Sequence, residues 1–495
     1  MRNFILFIAM VCLFGSCKKE IKNVESQSRL LHAERGVNPG IYDKEGRYIL
    51  LRGANYNVLG DYWQGNPLLP TTKNYDINDF KMMAAQGFNC VRLIFNWSAI
   101  EPTKGNYDRA YIDRIRKVTD DATSQGLYVL LDMHQDAWSK FTFSLPSDNC
   151  EFPNKGWDGA PEWATIYDDA SRCTLNGGRE TTPAVYHSFQ SLWDNREGIQ
   201  DALIASWVEV VKATADNEMV LGYDIFNEPS LGYKNVNEEL YKLGKFYKRT
   251  IEAIRNAEKS NNLPEHIAFF EMGISWNGEP IPSFVFPEFT NEQNLVFAPH
   301  NYFESITYLL TIEQGYEATN IFNNNYKTHM FMGEWGFFDS NPENDKSKMK
   351  RFAKMEDKYL YGSTIWQWSQ TPGDPHAINF DGTTPQQTSL HLIELDQAGQ
   401  FTGNINTVFL NVLSRNRPLA IVGKPRFFET DSDNGKMKLK ASSGKAGITK
   451  LWINKRYGTP IIDGENSTLD KLESVEGGFI GHVKVDGDYE INVNY

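Results

Sequence analysis

Along residues 48 to 368 the chain repeats one pattern, a short apolar β-rich run followed by a stretch with helical spacing of its apolar residues. The runs are YILLRGANY (48–56), FNCVRLIF (88–95), LYVLLDMH (127–134), VLGYDIFNE (220–228), IAFFEM (267–272), LVFAPHNY (295–302), HMFMGEWG (329–336) and GSTIWQWS (362–369). Between several of them lie segments such as NDFKMMAAQG, RAYIDRIRKVTDDATSQG and NEELYKLGKFYKRTIEAIRNAEK, most closed by a Gly or polar stop. Strands alternating with helices need crossovers that leave the strands parallel. Eight such units predict an α/β fold, a (β/α)8 TIM barrel over residues 37–408. A doubly wound sheet is the competing arrangement, but no run is followed by a glycine-rich phosphate fingerprint.

A barrel of this kind gathers its working residues at the C-terminal ends of its strands. Those ends carry Arg92, His134 with Asp136, Asn227 with Glu228, His300 with Tyr302, Glu334 with Trp335, and Trp366. Packing alone does not call for polar residues at nearly every strand end. Glu228 is the sharpest case, a carboxylate between Asn227 and Pro229 at the end of an apolar run. Such a charge must be solvated, paired or used. One glutamate there reads most simply as a salt-bridge partner. Two of them, Glu228 and Glu334, on strands that face across one mouth, form the pair that glycoside cleavage requires: one acid for the leaving oxygen and one carboxylate on the other face of the sugar. That chemistry needs no cofactor and no metal, and the scattered histidines and cysteines match no zinc spacing.

The ordered set VRL, DMHQD, DIFNEP, HNY, FMGEWG and IWQW resembles glycoside hydrolase family 5, over roughly residues 85 to 370. The resemblance implies a retaining mechanism, with Glu228 as acid/base and Glu334 as nucleophile. It further implies that Asn227 holds a sugar hydroxyl and that Arg92 and Tyr302 orient Glu334. His134 and His300 would line the cleavage subsite, with Trp366 as the floor under that sugar. On electrostatic grounds a negative Glu334 is expected to raise the pKa of Glu228 and keep it protonated.

Within that family, LLDMHQDAWS (130–139) is similar to the endoglycoceramidase branch, which releases an intact sugar from ceramide. The branch implies a glycolipid substrate, a C-terminal β-sandwich, and a role for Asp136 on a sugar hydroxyl, loop capping being its other reading. The tail fits: from residue 409 helical periods give way to short strands such as KMKLKAS, ITKLWINK, FIGHVKV and YEINVNY, so 409–495 is read as an antiparallel sandwich. The first run, ending GANYNVLGDYWQGN, lacks the lysine that endoglycoceramidases can place there. The long segment from 137 to about 200 holds Trp138, Trp157 and Trp163, which either line the cleft or pack as a stapled cover. Other readings stay open: a retaining endo-β-glucanase or other β-glycosidase on soluble glycans, and a non-catalytic glycan-binding lipoprotein.

Arg2 precedes FILFIAMVCLF, too short to span a bilayer and suited to an export signal. The run ends GSC, and residues 1–17 resemble a bacterial lipoprotein signal, with Phe14 where leucine is usual. This implies acylation of Cys17 and a membrane-anchored protein of the cell envelope; a conventional signal and secretion is the alternative. Residues 18–36 then read as a polar tether. Cys90 is expected as a packed thiol, and Cys150 and Cys173 as a disulfide of an exported protein. A formal charge of −13 argues against nucleic acid.

Overall fold

A computed structural model describes residues 28–233, 235–274, 277, 289–378 and 391–495. The signal segment 1–17 with Cys17, and the tether as far as residue 27, lie outside the described residues. Eight parallel strands close into a barrel in chain order: Arg52–Leu59, Cys90–Phe95, Tyr128–Met133, Val220–Asp224, Ile267–Phe270, Leu295–Phe297, His329–Met332 and Gly362–Ile365. The last closes on the first through the pairing of Ser363 with Arg52. Each strand is buried on both faces, which explains why the runs read as continuous apolar stretches rather than alternating ones.

The outer helices start where the sequence offers caps. Asp108 accepts a hydrogen bond from the Tyr111 amide at the start of Arg109–Ser124, and Asn235 caps Val236–Ser260. Beyond the sixth and seventh strands, His300–Asn301 and Glu334–Trp335 form a second, short parallel ladder in which His300 lies opposite Glu334. The chain breaks each strand once, around Pro299 and at Gly333, and resumes it at the mouth.

Two expectations are corrected. The run 48–56 is two strands: Arg47–Ile49 pairs with Arg417–Val422 outside the barrel, and only Arg52–Leu59 enters it. The tether expected over 18–36 is, from residue 28, packed chain. His32–Glu34, Gly40–Tyr42 and Arg47–Ile49 join four C-terminal strands in a seven-stranded sheet, and Ser28 donates to Glu218 at 2.8 Å. The cause is apolar burial. Leu31, Ala33 and Ile41 cluster with the inward-facing Leu130, Leu221, Phe269 and Phe331, so the N-terminal strands close the bottom of the barrel. The C-terminal unit therefore uses residues 32–49 as well as the tail. Its seven-stranded sheet packs on a four-stranded one around a second core that includes Ile421, Leu439, Leu451 and Ile491. Among the described residues no helix is long and apolar enough to cross a membrane.

Strand spacing leaves no room at two glycines. A Cβ on Gly53 would stand 1.9 Å from the carbonyl oxygen of Cys90 on the next strand, and one on Gly222 would stand 2.0 Å from that of Ile267. Gly53→Ala is expected to destabilise the protein by roughly 1–3 kcal/mol. Gly444→Ala, where nothing lies within 4 Å, should leave the denaturation midpoint unchanged.

Candidate active site

Arg92, fully buried and lying within the second strand rather than at its end as the sequence suggested, organises the mouth. It donates to Asp224 at 2.8 Å, Glu334 at 2.7 Å, Asn227 at 2.9 Å and Asn55 at 3.1 Å, and pairs with Asp132 at 3.0 Å. Its partners come from the first, third, fourth and seventh strands. Burial works against its charge, but these carboxylates more than compensate and hold it firmly protonated. Glu334 is fixed at both oxygens, by Arg92 on Oε1 and by the Tyr302 hydroxyl on Oε2 at 2.8 Å.

Glu228 sits at φ 37°, in the left-handed region that a non-glycine residue enters at a cost of about 1–3 kcal/mol. Its amide donates to Glu271 Oε1 at 2.7 Å, and Gln135 donates to the carbonyls of Asn227 and Glu228. Those bonds hold the turn that aims the carboxylate inward. Glu228 Oε1 lies 2.7 Å from His300 Nδ1, and one oxygen from each of Glu228 and Glu334 lies with a His300 nitrogen inside 4.8 Å. Burial is the main reason that the Glu228 pKa is raised to about 7; Asp136 adds to the rise and Arg179 opposes it. The dominant cause is therefore desolvation and not the charge of Glu334. Burial also lowers His300 to about 4, so a neutral imidazole faces Glu228 and does not pull off its proton.

The two glutamates open into a cavity of about 560 Å³ with unlike walls. Loops after the third and eighth strands bring Asp136, Lys155, Trp157, Arg179, Glu180 and His376. Asp136 pairs with Arg179 at 2.7 Å and His376 at 2.8 Å, which together hold it well below the usual carboxylate range despite burial. Arg179 also pairs with Glu180 at 2.8 Å, reaches Glu228 at 3.8 Å and lies 4.4 Å over the Trp157 ring. Loops after the fifth, sixth and seventh strands instead bring Ile274, Ile306 and Phe338, with Asn277, Tyr302 and Thr307 beside them.

Nine of the ten strand-end residues singled out from the sequence reach this mouth; the tenth, Trp335, is buried with its ring stacked on Phe352 at 3.8 Å. His134 hydrogen-bonds Asp132 at 2.7 Å and stacks on Trp366 at 5.5 Å; burial disfavours its charge, but Asp132, Asp158 and Asp136 raise its pKa to about 10. Asn227 turns its oxygen to Arg92 and donates to the Gln135 carbonyl. Of the three tryptophans singled out in the insertion only Trp157 lines the cavity. Trp138 is buried against Phe189, and Trp163 packs on Trp97. Cys150 and Cys173 form a disulfide, and Cys90 is buried, its thiol pushed up to about 12 by desolvation.

Arg179, Lys155 and His376 were not foreseen. His376 carried a faint signal, the DPH turn shortly after the eighth run. A lysine does line the cavity, but Lys155 arrives from the insertion rather than the first strand, donating to the carbonyls of Pro375 and Ile378 at 2.5 Å each.

The model of the cellulase family, glycosyl hydrolase family 5, matches residues 43–372, and the chain belongs to that family: it is a glycoside hydrolase. Endoglycoceramidase I of Rhodococcus hoagii is 29% identical over 273 residues, 53% of this chain and 51% of that protein. An endoglycoceramidase of Cyanea nozakii is 30% identical over 271 residues, 49% of this chain and 51% of the relative. The matched stretch thus spans about half of each relative. A crystal structure of an endogalactoceramidase superposes with a TM-score of 0.83 at 33% identity, covering 93% of this chain and 99% of that one.

Arg179 is the foremost of the cations that oppose the raised pKa of Glu228, ahead of His134 and Arg92. Arg179→Gln should therefore move the ionisation of Glu228 above about 7, read from its carboxyl-carbon NMR shift against pH, with Glu228→Gln supplying the assignment.

Proposed function

We propose that the protein is a retaining β-glycosidase that separates the glycan of a ceramide-type glycolipid from its lipid. The observation that carries this reading is the uneven cavity: its charged groups Asp136, Lys155, Arg179, Glu180 and His376 come from the side of the third and eighth strands, its aliphatic and phenyl side chains Ile274, Ile306 and Phe338 from the side of the fifth to seventh, where Asn277 and Tyr302 are already bonded within the protein, and the two glutamates lie between them. A sugar suits the first wall and a lipid alcohol the second. Among the relatives, the endoglycoceramidases and the endogalactoceramidase support the same substrate class.

In this reading Glu334, held in position by Arg92 and Tyr302, attacks the anomeric carbon through a carboxylate oxygen. The bond to the lipid oxygen breaks, and Glu228 gives that oxygen its proton. With Glu334 esterified, Glu228 as carboxylate takes a proton from water, whose oxygen attacks the anomeric carbon. The ester breaks and both glutamates return to their starting states. The short separation of the carboxylates supports direct attack, since an inverting site leaves room for water between them. Asn227 and Asp136 bind sugar hydroxyls, His134 and His300 line the subsite, and Trp366 supports the ring. The signal-like N-terminus adds export and an anchor at Cys17, which would hold the enzyme on the cell envelope beside lipid substrates.

Incubation with galactosylceramide is expected to release the intact sugar and free ceramide by mass spectrometry, leaving a soluble β-glucan uncut. Shortened glucan with intact glycolipid would move the substrate to soluble glycans. Glu228→Gln and Glu334→Gln should each fold and lose about 10³-fold or more in kcat. Because Glu228 must carry a proton in the first step, kcat/KM should fall on the alkaline side with an apparent pKa of about 7.

A further inference from the structure

The loop after the sixth strand exposes apolar residues beside the cavity. Ile306, Tyr308 and Leu309 are 59%, 74% and 68% exposed, three within four residues. Scattered apolar residues on a surface are ordinary, but a contiguous group at the rim of a site marks an interaction surface. Ile306 and Thr307 also line the cavity, so this surface runs continuously into the wall assigned to the lipid.

The base of the loop is firmly held. The amides of Ser305, Ile306 and Thr307 all converge on the Tyr302 carbonyl, at 3.2, 3.0 and 3.2 Å. Phe303 is buried, and Glu304, at φ 58°, is gripped by Arg351 at 2.8 and 2.7 Å. The Tyr308 hydroxyl donates to the Ser305 carbonyl at 3.0 Å, fixing the ring on the tip. Fixed backbone with outward apolar side chains is costly in water unless another surface covers it. Charge does not select that surface: Arg351 is shared between Glu304 and Glu313, and the chain is net −13. An anionic bilayer or a polyanion is disfavoured, and an uncharged apolar boundary fits.

We infer that the tip formed by Tyr308 and Leu309 seats in the outer part of the bilayer that carries the glycolipid, placing the apolar wall against the membrane so that the lipid passes from bilayer to cavity without crossing water. An amphipathic tyrosine beside a leucine is the composition that settles at a membrane interface. This inference rests on the glycolipid reading above and adds the route by which the substrate arrives.

The test compares the full chain with Tyr308→Ser/Leu309→Ser on three substrates: galactosylceramide in phosphatidylcholine vesicles, the same lipid in detergent micelles, and a soluble aryl β-galactoside. The double variant should keep the soluble and micellar rates within about twofold and lose about tenfold or more on vesicles. Tyr308→Phe/Leu309→Met, which keeps the apolar surface, should restore the vesicle rate. An unchanged vesicle rate in the serine variant, or an equal loss on all three substrates, would overturn the inference. If the unaltered protein cleaves the aryl glycoside but neither form of the glycolipid, the glycolipid reading itself fails and takes this one with it.

Discussion

A fully buried guanidinium is the constraint around which the mouth of this barrel is built. Taking Arg92 out of water would cost several kcal/mol if it were left alone. Here it is repaid by Asp132, Asp224 and Glu334 and by the amide oxygens of Asn55 and Asn227. Because these five partners come from four strands or strand ends, satisfying one cation fixes the relative height of much of the mouth. Glu334 is one of those partners, so the network that settles the electrostatics of the barrel end also fixes the carboxylate assigned to attack.

Glu228 is treated in the opposite way. Arg92 does not touch it directly; its nearest ring partner is the neutral His300 and its backbone is held by Glu271. Glu271 is itself held by Asn277 at 2.9 Å, and its own pKa is raised well above the usual range, first by burial and then by Asp224 and Glu228. One glutamate sits among strong donors and the other is desolvated. In the proposed mechanism that difference in environment divides the roles of two chemically identical side chains.

The barrel was legible because eight runs doubly buried by a parallel sheet leave an unbroken apolar signal, and the residues at their ends were legible because polar groups interrupt it. The structure trims those runs, to Val220–Asp224 from 220–228 and to Gly362–Ile365 from 362–369, where the chain leaves the sheet to carry Asn227, Glu228 and Trp366 into the mouth. Arg179 and Lys155 were not legible. They lie in a segment with no period, and their position depends on tertiary contacts with Asp136, Trp157 and the loop after the eighth strand. The N-terminal strands escaped for another reason: at three residues each they are too short to show alternation, and their apolar residues matter only because the open end of a barrel lies against them. The raised pKa of Glu228 was expected, but its cause was not, because desolvation is a property of the folded cavity and a neighbouring charge is easier to foresee.

The measurement that bears most directly on the account is the location of the covalent intermediate. The protein would be treated with a slow mechanism-based substrate, a 2-deoxy-2-fluoro β-glycoside with a good leaving group, then digested and mapped by mass spectrometry. The account predicts one glycosyl adduct, on the peptide containing Glu334, which is also formed in Glu228→Gln when the leaving group needs no proton. An adduct on Glu228, or turnover through product of inverted configuration with no adduct, would contradict it.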